Sequence, residues 1–233
     1  VLDAVDSQSI GVAGPLMAQD LKMTVASFGP VYSSGLLGAA IGAFAFGPIS
    51  DRYGRRPTLV FTTFLFAIFT CLTPFAGSFA TLLALRFIAG LGLGGATPCF
   101  ITMSAEYAPT RSRAMLVSLL WAGYPLGNAV GGFMTSYLIK NFHWSMVFYA
   151  GGVPTLVIAV LLLFFMPESL RHLAQRGQSA AAEVLARKLD PALQGEIEIV
   201  TRRKEQQPKV SMFQLFTDGR ATGTILLGLR SEE

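Results

Sequence analysis

The sequence predicts an all-α membrane protein, six spanning helices followed by a basic segment that does not span. Composition is the first reason. Of 233 residues 52% are hydrophobic and 14% are charged, against the roughly 25% charged residues usual in soluble domains, and the mean hydropathy is positive. Distribution is the second: long uncharged runs, each close to the about 20 apolar residues that cross roughly 30 Å of hydrocarbon, separate short charged stretches. The same distribution argues against nucleic-acid binding as the meaning of the net charge of +4, because long uncharged runs separate the charges. Cys71 and Cys99 lie inside apolar runs without ligand spacing and read as small buried hydrophobes, so neither a metal nor a cofactor is expected.

The spans are predicted at 1–17, 27–49, 58–74, 80–103, 113–139 and 144–166, with a seventh beginning near Ala221. Residues 1–166 therefore form a six-helix bundle, 167–220 a cytoplasmic linker with short surface helices, and 221–233 the truncated start of a seventh helix with its tail. The chain opens on Val1 and closes on "RSEE" after an apolar start, and both ends are expected to be cuts within a longer protein. Helices joined by short loops alternate sides. With 50–57, 104–113 and 167–220 on one side, that side carries 14 of the 18 Lys and Arg, against Lys22 and Lys140 on the other. The positive-inside tendency makes the basic side cytoplasmic. His143 then falls at the outer interface, and Trp144, Tyr137 and Tyr149 fall near helix ends, where amphipathic rings favour the interface.

Each predicted helix carries its own signal. The first, "LDAVDSQSIGVAGP", places Asp3 and Asp6 three residues apart and so on one face. Two carboxylates there repel, and low dielectric favours the protonated form of one of them, which is the chemistry of a carrier that takes up and releases a proton. The alternative is a solvated cytoplasmic flank. The second helix carries Gly35, Gly38 and Gly42, small residues that allow close helix approach. The link to the third, "FGPISDRYGRRPTLVF", holds one aspartate and three arginines, with Gly54 for unusual backbone angles and Pro57 suited to a first helical turn. So short a link is expected to set the second and third helices side by side as an antiparallel pair.

The fourth helix contains "RFIAGLGLGGATP", where Gly90, Gly92 and Gly95 have G-x-G-x-x-G spacing. No strand unit precedes it and the acidic residue expected about 20 positions on is missing, so helix packing explains these glycines better than dinucleotide binding. Arg86 in the same run is expected to face a cavity or a partner, as a hydrogen-bonding anchor or as a functional charge, unless it lies close enough to the surface to snorkel. The fifth helix, with "GYPLGNAVGG", repeats Gly123, Gly127 and Gly131 at four-residue intervals and adds Asn128, a candidate for a substrate hydrogen bond or for packing. "AEYAPTRSRA" lies at the inner ends of the fourth and fifth helices, where Glu106 can pair with Arg55 or Arg111, a surface network of small individual worth. Pro167 closes the sixth helix.

"GPISDRYGRRPTL" resembles the loop signature of the major facilitator superfamily, Gly-x-Leu-x-Asp-Arg-x-Gly-Arg-Arg/Lys, between its second and third helices. Gly47, Asp51, Arg52, Gly54, Arg55 and Arg56 match, with Ile49 in place of leucine. The resemblance implies a twelve-helix fold of two six-helix halves, of which this chain is the N-terminal one, with substrate between the halves. It also implies a gating latch at this loop, in which Asp51 and Arg55 hold and release the halves. The "RFIAGLGLGGATP" run resembles the fourth-helix motif of that superfamily, which associates Arg86 with proton coupling. "LDAVDSQSIGVAGPLMAQD" is similar to the first helix of the aromatic acid:proton symporter family, Leu-Asp-Gly-aromatic-Asp, with Asp3 and Asp6 at its two aspartates, Ala4 for its glycine and Val5 for its aromatic. "PESLR" at 167–171 fits sugar porters as well as aromatic acid porters.

These resemblances imply a proton-coupled importer of small aromatic carboxylates in a bacterial plasma membrane. Its partners would be the aromatic acid, protons, the lipid bilayer and the C-terminal half, with no nucleic acid. The rival readings are a sugar or organic-ion porter on the same scaffold and a non-transporting membrane sensor. Catalysis is the weakest reading, since no nucleophile-base pair or phosphate loop stands in a credible setting.

Overall fold

The structure is a computed structural model, and it describes residues 2–20, 27–108 and 113–166. The linker and the start of the seventh helix expected at 167–233 lie outside the described residues, as does Arg111. Six α-helices account for nearly everything described: α1 (Leu2–Asp20), α2 (Phe28–Tyr53), α3 (Arg55–Leu72), α4 (Phe79–Tyr107), α5 (Arg113–Asn141) and α6 (Ser145–Phe165), with a 3-10 turn at Thr73–Phe75 continuing α3. Among the described residues there is no strand. Five of the helices, α2 to α6, are long and apolar enough to cross a membrane. The sequence expectation was six. α1 is absent from the five, and it carries Asp3, Asp6 and Asp20 within 19 residues.

Surface and interior are composed as a bilayer protein requires. Phe133 and Phe165 are about four-fifths exposed, whereas Thr62, Thr70 and Thr73 are fully buried. A buried hydroxyl is satisfied where it donates to its own helix, as those of Thr62, Thr73 and Thr155 do, whereas Thr70 Oγ1 has no such partner. Thr62 Oγ1 donates to the Thr58 carbonyl at 2.8 Å, Thr73 Oγ1 to Phe69 at 3.0 Å and Thr155 Oγ1 to Gly151 at 2.7 Å.

The packing follows the glycines. α4 lies against both α2 and α3, α1 against α5 and α6, and α3 against α6. Exchanging helices one to three with four to six returns the same set of pairs, the pattern left by a repeat of three helices. The tightest seam joins α2 and α4. A Cβ added at Gly38 would stand 2.1 Å from the Phe87 carbonyl oxygen, and one at Gly90 would stand 2.1 Å from that of Gly35. Gly94 meets Ala39 in the same way. Backbone thus touches backbone along this seam, as small-residue faces permit in lipid. Gly92 and Gly95 point elsewhere, toward Thr62, Phe66 and Phe46. The G-x-G-x-x-G spacing is two packing faces of one helix, set against α2 and α3.

The charged link differs from its expected form. The sequence predicts a loop over 50–57, yet α2 runs to Tyr53 and α3 starts at Arg55, so Gly54 alone joins them. Gly54 has φ 114° and ψ 152°, a region open essentially to glycine, and its N–H bonds the Ser50 carbonyl at 3.0 Å. The antiparallel pairing of α2 with α3 is correspondingly limited, because the small faces of α2 seat it on α4 instead. Gly54→Ala is expected to cost about 1–3 kcal/mol, read as a lowered thermal midpoint of the purified full-length protein; an unchanged midpoint would count against strain at this position.

Candidate substrate and proton site

An arginine inside an apolar helix has no water to solvate it, so its partners define the site. Ser78 starts α4 by accepting the Thr81 N–H on its hydroxyl at 3.2 Å. Two turns further on, Arg86 is 2% exposed. Its Nη1 donates to both oxygens of Asp6, at 2.8 and 3.1 Å, and Asp6 itself is 8% exposed. Nη2 donates to Thr73 Oγ1 at 3.2 Å, and the guanidinium carbon sits 4.7 Å from the centre of the Phe148 ring. Nε is buried without a partner. Four elements therefore meet at one cation: α1, the turn after α3, α4 and α6.

Such a pair is held by mutual need rather than by net gain. Removing two charges from water costs several kcal/mol per ion, and the attraction returns this only while both partners are in place. Changing the charge of one partner therefore unsettles the other, which suits a switch. A cavity of about 60 Å³ adjoins the pair, lined by Asp6 and Arg86 together with Ile10, Tyr32, Ala39 and Phe66 among others. It brings the pair beside the glycine seam at Gly35 and Gly90.

Asp6 and Arg86 are thus joined across the fold. Asp3 lies on the first turn of α1, with its side chain outside the described part. Asn128 is half-buried on α5 and lines neither this cavity nor a larger apolar one between α3, α4, α5 and α6.

The loop residues gather at the other end of the bundle. Gly47, Asp51 and Arg52 are on the last turns of α2, and Arg55 and Arg56 on the first turn of α3. Arg55 Nη2 stands 4.0 Å from Asp51 Oδ1, and Arg52 lies over the Tyr53 ring at 5.6 Å. Arg56 Nη2 donates to the Leu163 carbonyl at 2.6 Å, supplying a partner for one of the carbonyls left open at the C-terminal end of α6. Glu106 is in the last turn of α4, with its side chain outside the described part.

Two groups escaped sequence reasoning. Thr73 and Phe148 touch Arg86 from positions where a lone threonine after an apolar run and one phenylalanine of eighteen give no signal. Where α1 ends and α6 begins, Asp20 accepts from the Trp144 indole N–H and lies 2.9 Å from His143 Nε2, while His143 Nδ1 is 2.8 Å from Ser145 Oγ. His143, expected near a membrane interface, belongs to this exposed cluster at the end of α1 and the start of α6. Two polar residues flanking separate apolar runs were the available hint.

The sequence model described as Major Facilitator Superfamily matches residues 1–229. The chain belongs to the major facilitator superfamily. It is a multi-pass membrane protein of that superfamily. The 4-hydroxybenzoate transporter PcaK of Pseudomonas aeruginosa is 38% identical over 235 residues, covering 98% of this chain and 52% of that protein. The gallate transporter of Pseudomonas putida is 35% identical, covering 98% of this chain and 51% of its own. The chain spans about half the length of these curated relatives. Among solved structures, the proton:xylose symporter XylE superposes with a TM-score of 0.73 at 24% identity, covering 81% of this chain and 47% of that one. At that identity the likeness bears on fold alone, and it agrees with the six-helix arrangement.

Proposed function

We propose that this chain is the N-terminal half of a secondary active transporter that imports small aromatic carboxylates together with protons by alternating access across a bacterial plasma membrane. One observation carries the reading: a carboxylate and a guanidinium, both buried, share a bond beside a cavity in the membrane-spanning bundle. The relatives transporting 4-hydroxybenzoate and gallate support the substrate class.

The chemistry follows from charge. While Asp6 is ionised it neutralises Arg86. A proton entering from outside neutralises Asp6 and frees the guanidinium, which cannot lose its own proton. A substrate carboxylate then has a reason to enter, as the replacement counter-charge. Proton and anion travel as a neutral sum, and loss of the proton inside returns Asp6 to Arg86 and expels the substrate. Asp3, on the same helix, is assigned as the second proton-carrying group, and Asn128 as a polar contact to the substrate. Residues 167–220 join this half to the C-terminal half, which begins at 221–233 and completes the binding site.

Asp51, Arg52, Arg55, Arg56, Glu106 and Arg111, with Gly47 and Gly54, are assigned to the cytoplasmic latch. Arg55→Ala is expected to slow the maximal transport rate several-fold with little change in substrate affinity. Comparing uptake rate with equilibrium binding checks this, and an unchanged maximal rate removes Arg55 from the latch.

Uptake of labelled aromatic acids and a hexose by cells producing the full-length parent, with and without a protonophore, tests the whole reading. Aromatic acid accumulation that collapses with the protonophore is expected. Hexose accumulation would move the protein to the sugar porters. Correct insertion with no uptake of either would favour the sensor reading.

A further inference from the structure

Arg86 is held from three directions, and only one of the three holders carries a charge. Arginine can only donate, so the oxygen of Thr73 has to accept from Nη2. That geometry is enforced locally. Thr73 gives its own hydroxyl proton to the Phe69 carbonyl at 3.0 Å, which leaves its lone pairs toward the guanidinium. Thr73 is fully buried and begins the 3-10 turn that ends α3, so it has no freedom to turn away.

Phe148 is fixed in a comparable way. It is fully buried, and its ring meets Trp144 edge-on at 6.0 Å and 82°. Trp144 is in turn anchored by its indole N–H on Asp20. Neither Thr73 nor Phe148 changes charge when Asp6 takes a proton, and both belong to elements other than α1.

We propose that Thr73 and Phe148 are positioning residues that keep the Arg86 guanidinium in place while Asp6 is protonated, presenting it to the carboxylate of the substrate. This rests on the functional reading above and deepens it. Neither residue need touch the substrate. Without them a guanidinium released by Asp6 would turn toward whatever other acceptor or water it could reach, and substrate affinity would fall.

The test has two arms in the full-length transporter. In the first, Asp6→Asn imitates the protonated acid, and Arg86 is probed with phenylglyoxal, a membrane-permeant arginine reagent, with modification located by mass spectrometry. Arg86 should stay protected in Asp6→Asn and become modified when Thr73→Val or Phe148→Leu is added. Protection should return with Thr73→Ser, which keeps the accepting oxygen. Modification of Arg86 in Asp6→Asn alone, to the level of the double variants, overturns the proposal, as does protection in all of them.

In the second arm, Thr73→Val alone should raise KM for the aromatic acid about tenfold, the scale of one lost hydrogen bond to a charged group, with kcat changed far less. Thr73→Ser should restore KM. A merely structural role would lower the amount of folded protein and leave KM alone, and that outcome also overturns the proposal. If the unaltered protein takes up no aromatic acid, the functional reading fails, and the labelling arm still decides whether Thr73 and Phe148 hold the arginine.

Discussion

Asp6→Asn is expected to abolish accumulation of substrate against its gradient while the protein still reaches the membrane. Asparagine keeps an oxygen for Arg86 Nη1 but cannot carry a proton, so the exchange of counter-charges loses its driving step. The concentration ratio across the membrane should fall to about unity, with or without a protonophore, while exchange of labelled for unlabelled substrate persists. Accumulation retained in this variant would remove Asp6 from proton coupling. The stability cost should be smaller than for Asp6→Ala. Alanine leaves a buried cation with no counter-charge and no acceptor from Asp6, a situation worth about 3–5 kcal/mol in buried pairs. The reverse deletion, Arg86→Met, should be tolerated better, since a carboxyl left without its partner can take up a proton whereas a guanidinium cannot give one away.

Gly94→Val is expected to prevent assembly of the bundle. The first added carbon would already stand 1.9 Å from the Ala39 carbonyl oxygen, and that atom is backbone in the middle of α2. Relief requires the helices to separate, which opens the seam that also holds Gly38, Gly42 and Gly90. Overpacking commonly costs about 1–3 kcal/mol where side chains can yield; here the obstacle is a helix, so the cost should exceed that range. Gly151→Ala on α6 is the control. Gly151 is also buried, but an added Cβ meets nothing within 4 Å. The yield of monodisperse full-length protein in detergent should collapse for Gly94→Val and hold for Gly151→Ala. Equal yields would mean that the α2–α4 seam is looser than described.

What the sequence determined by itself was whatever depends on neighbours along the chain. Apolar run length set the helices to within a few residues, and charge bias set the sidedness expected of them. The four-residue spacing of small residues marked faces for close approach, and the misfit of its context removed the dinucleotide reading of "GLGLGG". It also marked Arg86 as a charge in need of a cavity or a partner, because an unpaired charge in an apolar run is expensive wherever it ends up, and Asp3 with Asp6 as a pair of carboxylates on one face.

Which partner each feature found was decided only by the tertiary structure. A small face says that some helix comes close. That α2 takes Gly90 and Gly94, α3 takes Gly92, and Gly95 lies between Phe46 of α2 and Thr62 of α3 depends on how all six helices share the available contacts. The bond between Asp6 and Arg86 joins positions 80 apart, and the Arg56 bond to Leu163 joins positions 107 apart. Thr73 and Phe148 carry no local mark, since a buried threonine and a buried phenylalanine satisfy helix and core equally well at many places. Their role arises only because the turn after α3 and the flank of α6 converge on a guanidinium that donates in several directions and accepts in none.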